Sequence, residues 1–161
     1  MGMTDPRKKE RAAEGSGSAA SRAPAGFGAR RYSRAMTQDI SPFVARRARL
    51  AESMRAGGGG VAIVPTAPER QRNSDNDHPY RHGSDFHYLT GFGEPGAWLV
   101  LFADGRSTLV CRPKDVEREL WDGIRLGPDA APAALGVDAA VTLDALDETM
   151  VASLADQPAV W

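Results

Sequence analysis

Apolar positions change their spacing along this chain, and each change marks an element. Between residues 42 and 55, Phe43, Arg47, Leu50 and Met54 recur three to four positions apart, with arginines elsewhere. That spacing predicts an amphipathic helix. Ser41 is expected at its N-cap and Pro42 at the first helical position, where a missing N–H costs nothing. The glycines Gly57, Gly58, Gly59 and Gly60 end it. Val61-Ala62-Ile63-Val64, closed by Pro65, reads as a short buried strand. Residues 65–83 are polar and rich in turn formers, and a loop of that length in a compact domain is usually functional or part of an interface. Residues 86–90 and 97–102 read as strands. Asp104-Gly105 predicts a hairpin turn into a strand over 107–111. Asp115 is expected to cap a helix running to about Trp121. A short helix is expected over 128–135, stopped by Gly136, then a strand within 137–143. A last helix over 144–154 would place Leu146, Met150 and Leu154 on one side, and Val160-Trp161 reads as the start of a strand. No internal repeat is present. Hairpin and crossover helices together predict an α/β fold, a mixed β-sheet flanked by helices.

Charge divides the chain. The first 35 residues carry eight Lys/Arg against three acids, whereas the remainder has a net charge of −6. The head is rich in Gly, Ala, Ser and Arg and poor in large apolar residues, so it cannot offset its ordering entropy. Residues 1–38 are therefore expected to be a disordered basic tail, with Met36 an alternative start, and 39–161 a single domain. No apolar stretch follows Arg30-Arg31 as a signal peptide requires, and no window reaches eighteen uninterrupted apolar residues, so no membrane segment is expected. Aromatic interleaving in the basic head is limited to Phe27 and Tyr32, which argues against a nucleic-acid partner. The single cysteine, Cys111, sits in an apolar run. It excludes an internal disulfide framework and suits a reducing cytoplasm.

Side chains suited to catalysis are densest at Asp75, Asp77, His78, His82, Asp85 and His87. Histidine with carboxylate suits a transition metal. His78 and His82 would share a helix face, but Pro79 and Gly83 argue against a helix there, so a solvated loop is expected rather than a metal site. Read as a strand residue, His87 points away from Phe86 and Tyr88. Gly91-Phe92-Gly93-Glu94-Pro95-Gly96 fits G-x-G-x-x-G literally. A strand follows it instead of a helix, and Glu94 would repel a pyrophosphate, so a glycine turn is expected. The Gly57–Gly60 run lacks the Lys-Ser/Thr of a phosphate-binding loop. Ser84 lacks a G-x-S-x-G elbow. Asp85 is expected to accept backbone N–H groups or to pair with an arginine such as Arg81, as a structural clamp or an interface. Trp121, beside Gly123, either closes the core or offers an aromatic face to a ligand.

Three blocks carry a family resemblance over about residues 41–161. The first is Tyr80-Arg81-x-x-Ser84-Asp85-Phe86-x-Tyr88-Leu89-Thr90-Gly91-Phe92-x-Glu94-Pro95-x-Ala97. The second is Glu119-Leu120-Trp121-x-Gly123-x-Arg125-Leu126-Gly127. The third is Asp129-Ala130-Ala131-Pro132-x-x-Leu135-Gly136-Val137-Asp138. Together they resemble the N-terminal domain of aminopeptidase P, the Xaa-Pro aminopeptidases of the creatinase and pita-bread metallopeptidase superfamily. The first block is closer to aminopeptidase P than to prolidase or creatinase. The resemblance implies a non-catalytic domain that shapes the cleft of an enzyme acting on peptides with proline at the second position. It implies a homo-oligomer and a later catalytic domain holding two metal ions, usually manganese. No catalytic residue and no metal ligand is then assigned within this chain. The residue matching Trp121 lies against the cleft in such proteins, and the one matching Asp75 reaches the cleft of a neighbouring subunit. Both are expected to be substrate-binding. Tyr80, Arg81, Asp85 and Glu94 are expected to be structural or interface residues. His87 departs from the larger aromatic found in many relatives. A stand-alone peptide- or protein-binding module of the same fold is the rival expectation.

Overall fold

The computed structural model describes residues 39–161 apart from residue 75. The expected tail lies outside the described residues, as does Asp75. Helix α1 (Ser41–Ala56) buries Phe43, Arg47 and Met54 of the expected stripe together with Ala51, while Leu50 is half-buried against the core. Its cap differs from expectation. Ile40, not Ser41, occupies the cap position, and the Asp39 carboxylate accepts the Ser41 N–H at 2.9 Å. A negative charge at a helix N-terminus does the work expected of the serine hydroxyl. That bond also holds the Asp39 carboxyl below its ordinary pKa.

Four strands form a mixed sheet: β1 (Val61–Pro65), β4 (Trp98–Phe102), β5 (Ser107–Cys111) and β6 (Ala139–Thr142), in the order β1-β4-β5-β6. The first three are antiparallel to their neighbours, and β6 joins β5 in parallel. The Asp104-Gly105 turn forms as expected, with Gly105 at φ +100° and Asp104 Oδ1 accepting the Arg106 N–H at 2.9 Å. Both alternating faces of the central hairpin are buried. Leu99, Leu101, Leu109 and Cys111 lie on one face, Val100 and Val110 on the other, all at 0% exposure. Helices flank the sheet. Phe86 and Leu89 of α2 (Ser84–Thr90) and Ala131 and Leu135 of α4 (Gly127–Leu135) pack with Leu99, Leu109 and Cys111. Met54 of α1 packs with Ala62 and Leu101. The chain ends on the outer edge of β1, where Val160 bridges Val61 in parallel.

One expected strand is a helix. Residues 86–90 belong to α2, whose buried Phe86, Leu89 and Thr90 follow helical spacing. The alternation of Phe86 and Tyr88, both strand formers, suggested a strand because a five-residue window cannot separate the two periods. Tertiary packing decides, and Thr90 Oγ1 turns back to the Phe86 carbonyl at 2.8 Å, a helical contact. Gly91 closes α2 at φ +68°, where an added Cβ would stand 2.7 Å from the Phe43 ring. The long loop 65–83 contains a small ribbon, β2 (Gln71–Asn73) with β3 (Asn76–Asp77). The helix expected from Asp115 is mostly turns, reduced to α3 (Glu119–Asp122). At the C-terminal end, a 3-10 turn (Leu143–Ala145) leads into α5 (Leu146–Leu154), which buries Ser153 and leaves Leu154 exposed.

Candidate functional site

Several loops meet at one end of the sheet and frame a groove of about 1120 Å³, lined among others by Tyr80, Phe92, Glu94, Arg112, Ile124 and Leu126. Apolar Phe92 and Leu126 lie beside charged groups, so the groove suits a ligand with both characters, such as a peptide.

Tyr80 and Glu94 hold this groove together. The Tyr80 hydroxyl lies 2.7 Å from Thr66 Oγ1, 3.2 Å from the Ala67 carbonyl and 3.5 Å from the Glu94 carbonyl. It therefore joins the long loop to the glycine turn. The Glu94 carboxylate accepts the Leu126 N–H at 2.8 Å. The glycine turn is followed by β4, as expected, and Gly96 sits at φ +66° with an added Cβ 2.9 Å from Arg112 Nε. Arg112 in turn pairs with Glu69 of the long loop. Polar side-chain bonds thus tie the loops that line the groove to one another and to the backbone.

Arg81 and Asp85 are both exposed, and no bond joins them among the described residues. Asp85 lies in the first turn of α2, where its charge favours the helix N-terminus. The clamp expected of this pair is supplied instead by Tyr80 and Glu94. Of the carboxylate–histidine cluster, Asp75 lies outside the described residues. His82 and His87 stack with ring centroids 3.9 Å apart, and the Phe43 ring meets His87 edge-on. Burial, His82 and Arg46 together hold the His87 pKa below its ordinary value. Among the described residues, no group of three or more His, Cys, Asp or Glu side chains could hold a metal ion.

Cys111 is fully buried in the core, and desolvation, with Glu94 nearby, pushes its thiol up to about 12. Such a thiol remains protonated and is no nucleophile. Trp121 is 85% exposed beside Leu120 at 82% and Val116 at 76%. It does not close the core, and it stands outside the groove lining, although Gly123 and Ile124 of the same segment line it.

Sequence reasoning placed Arg47 on the buried stripe of α1 but missed its role. Its guanidinium donates to the carbonyls of Leu89 at 2.8 Å and Leu135 at 2.9 Å, and to that of Gly136. These groups close α2 and α4, where carbonyls lack helical partners. One cation thus ties three helices together beneath the groove. Its only sequence signal is a charge at a stripe position.

The model of the aminopeptidase P, N-terminal domain family matches residues 43–161. A Xaa-Pro aminopeptidase from Escherichia coli is 43% identical over 112 residues, covering 67% of this chain and 25% of that protein. Human Xaa-Pro aminopeptidase 3 is 32% identical over 114 residues, covering 66% of this chain and 22% of its own length. Among solved structures, a variant of E. coli aminopeptidase P in complex with substrate superposes with a TM-score of 0.71 at 39% identity, covering 76% of this chain and 28% of that one. A zinc-substituted E. coli aminopeptidase P in complex with product gives 0.72 at 40% identity, covering 77% and 29%. The chain thus spans about a quarter of the length of the curated relatives it matches. No helix among the described residues is long and apolar enough to cross a membrane.

Proposed function

Because this chain belongs to the aminopeptidase P, N-terminal domain family, we propose that it is the non-catalytic domain of a metal-dependent Xaa-Pro aminopeptidase. The intact enzyme would release the residue preceding proline from the N-terminus of a peptide. That bond needs a dedicated site because proline contributes a tertiary amide with no N–H. This domain would restrict the cleft and offer Trp121 to the substrate. The metal ions, manganese in this reading, belong to a catalytic domain, as does the chemistry they supply. Asp75 is proposed to face substrate as well, and the domain to contribute to a homo-oligomer. A cytoplasmic setting fits the lone buried thiol.

The observation that carries this reading is the exposure of Trp121 on a segment whose Gly123 and Ile124 line the groove. A large indole left 85% in solvent contributes little to folding. A rigid aromatic face packs well on a pyrrolidine ring. Glu94 and Tyr80 support the reading from the other side, since they line the groove that Gly123 and Ile124 of the same segment also line.

The test is Trp121→Ala in the intact peptidase, assayed on a peptide with proline second. A KM raised about tenfold, the loss of one buried aromatic contact, with an unchanged folded state supports the reading. An unchanged KM overturns the assignment of Trp121. Residues 39–161 alone are expected to release no N-terminal residue under the same assay, and release by them would overturn the non-catalytic role.

A further inference from the structure

The loop that presents Trp121 closes upon itself through a single residue. Glu119 begins α3, two positions before the indole. Its backbone carbonyl accepts the Gly123 N–H at 3.2 Å. Its side-chain carboxylate reaches further, accepting the Arg125 N–H at 3.2 Å across six residues. Gly123 makes the reversal between these two bonds at φ +88°, a conformation that side chains disfavour. The next amide, Leu126 N–H, is taken by Glu94. Two carboxylates from separate segments therefore hold consecutive amides just before α4, whose N-terminus favours negative charge. The loop 119–125 hangs from this double anchor with Trp121 within it.

Burial does not fix the direction of the indole. Val116, Leu120 and Trp121 are each at least 76% exposed, and burial is confined to the C-terminal end of the loop, where Ile124 is 38% exposed and Arg125 9%. No core contact holds the indole in one direction. The backbone must do so, and Glu119 supplies two of the bonds that fix it. Bonds to an ionised carboxylate are among the stronger ones available to a surface loop.

We propose that Glu119 is a positioning residue for Trp121, closing the loop that aims the indole at the peptide, with Glu94 anchoring the loop's root. This rests on the reading of Trp121 as substrate-facing. It accounts for the glutamate and glycine that bracket the tryptophan in Glu119-Leu120-Trp121-x-Gly123-x-Arg125. Glu119→Gln keeps a carbonyl acceptor for the Arg125 amide, whereas Glu119→Ala removes it.

Two measurements test the proposal. In the 161-residue chain, Glu119→Ala is expected to speed hydrogen exchange at the Arg125 amide about tenfold or more, leaving the β4 and β5 amides unchanged, with Glu119→Gln near the parent. Unchanged exchange at Arg125 overturns it, and so does acceleration throughout the sheet. In the intact peptidase, Glu119→Ala is expected to raise KM for a proline-second peptide about three- to tenfold at constant kcat, with Glu119→Gln largely restoring it. Combined with Trp121→Ala, it is expected to add nothing, since both remove the same contact. If Trp121→Ala raises KM and Glu119→Ala does not, or if the two effects add, the positioning role falls alone. If Trp121→Ala itself leaves KM unchanged, the positioning role falls together with the reading beneath it.

Discussion

The β4–β5 hairpin and the 115–127 segment are built from similar apolar residues and treat them in opposite ways. The hairpin buries Leu99, Val100, Leu101, Leu109 and Val110 completely, on both faces of the sheet. The segment exposes Val116, Leu120 and Trp121, and holds its backbone with carboxylates from Asp115, Glu119 and Glu94. In the hairpin, shape follows from exclusion of water, which is non-directional and tolerant. In the segment, shape follows from hydrogen bonds, which are directional and leave the apolar groups free. A protein that must present an aromatic face to a ligand needs the second device, mounted on the first.

The comparison breaks most severely in the core. Phe86→Ala removes a ring that is fully buried against the sheet. It should cost about 4 kcal/mol in urea denaturation, and a loss below about 1 kcal/mol would show that α2 is not part of the core. Arg47→Ala comes next. It leaves the carbonyls of Leu89, Leu135 and Gly136 without their cation, and should cost about 2–3 kcal/mol, read as a lowered Tm.

Smaller again is the pH response. The folded His87 pKa is lowered from 6.5 by burial, by His82 and by Arg46. The unfolded chain therefore takes up a proton first as pH falls. Stability is full above about 6.5 and declines as pH drops below it toward the lowered folded value. Asp39 and Asp104, also lowered, act only below the ordinary aspartate value of 3.8. Urea midpoints at pH 7.5 and 5.5 should differ in that direction, and His87→Gln should narrow the gap. An equal gap in the variant would move the effect elsewhere.

The smallest effect is expected at the exposed segment itself. Trp121→Ala should change stability by less than about 0.5 kcal/mol while weakening peptide recognition. A large stability loss would place the indole in the folded core and erase the contrast between the two regions.

Much of the fold is legible in the residues alone. Spacing locates α1, short apolar runs locate β1, β4 and β5, and Asp104-Gly105 locates the β4–β5 turn. These features are local, and local patterning carries them. α2 was not legible because Phe86, Tyr88 and Thr90 favour strands while their neighbours in space require a helix. In the candidate site, Trp121 and Glu94 were picked out by their motif. The partners of Glu94 and Tyr80 were not, since Thr66 and Leu126 are 14 and 32 residues from them. Arg81 and Asp85 lie close in sequence, and that closeness did not make them a pair.

By itself, the sequence determined the α/β class, the places of α1, β1 and the β4–β5 hairpin, and membership of a family, because each rests on residue type and local spacing. Tertiary structure alone decided which carboxylate meets which amide, why Arg47 is buried, and that Trp121 faces solvent instead of the core. Those outcomes depend on groups brought together from distant parts of the chain. Their energies exist only once the sheet has set the distances between them.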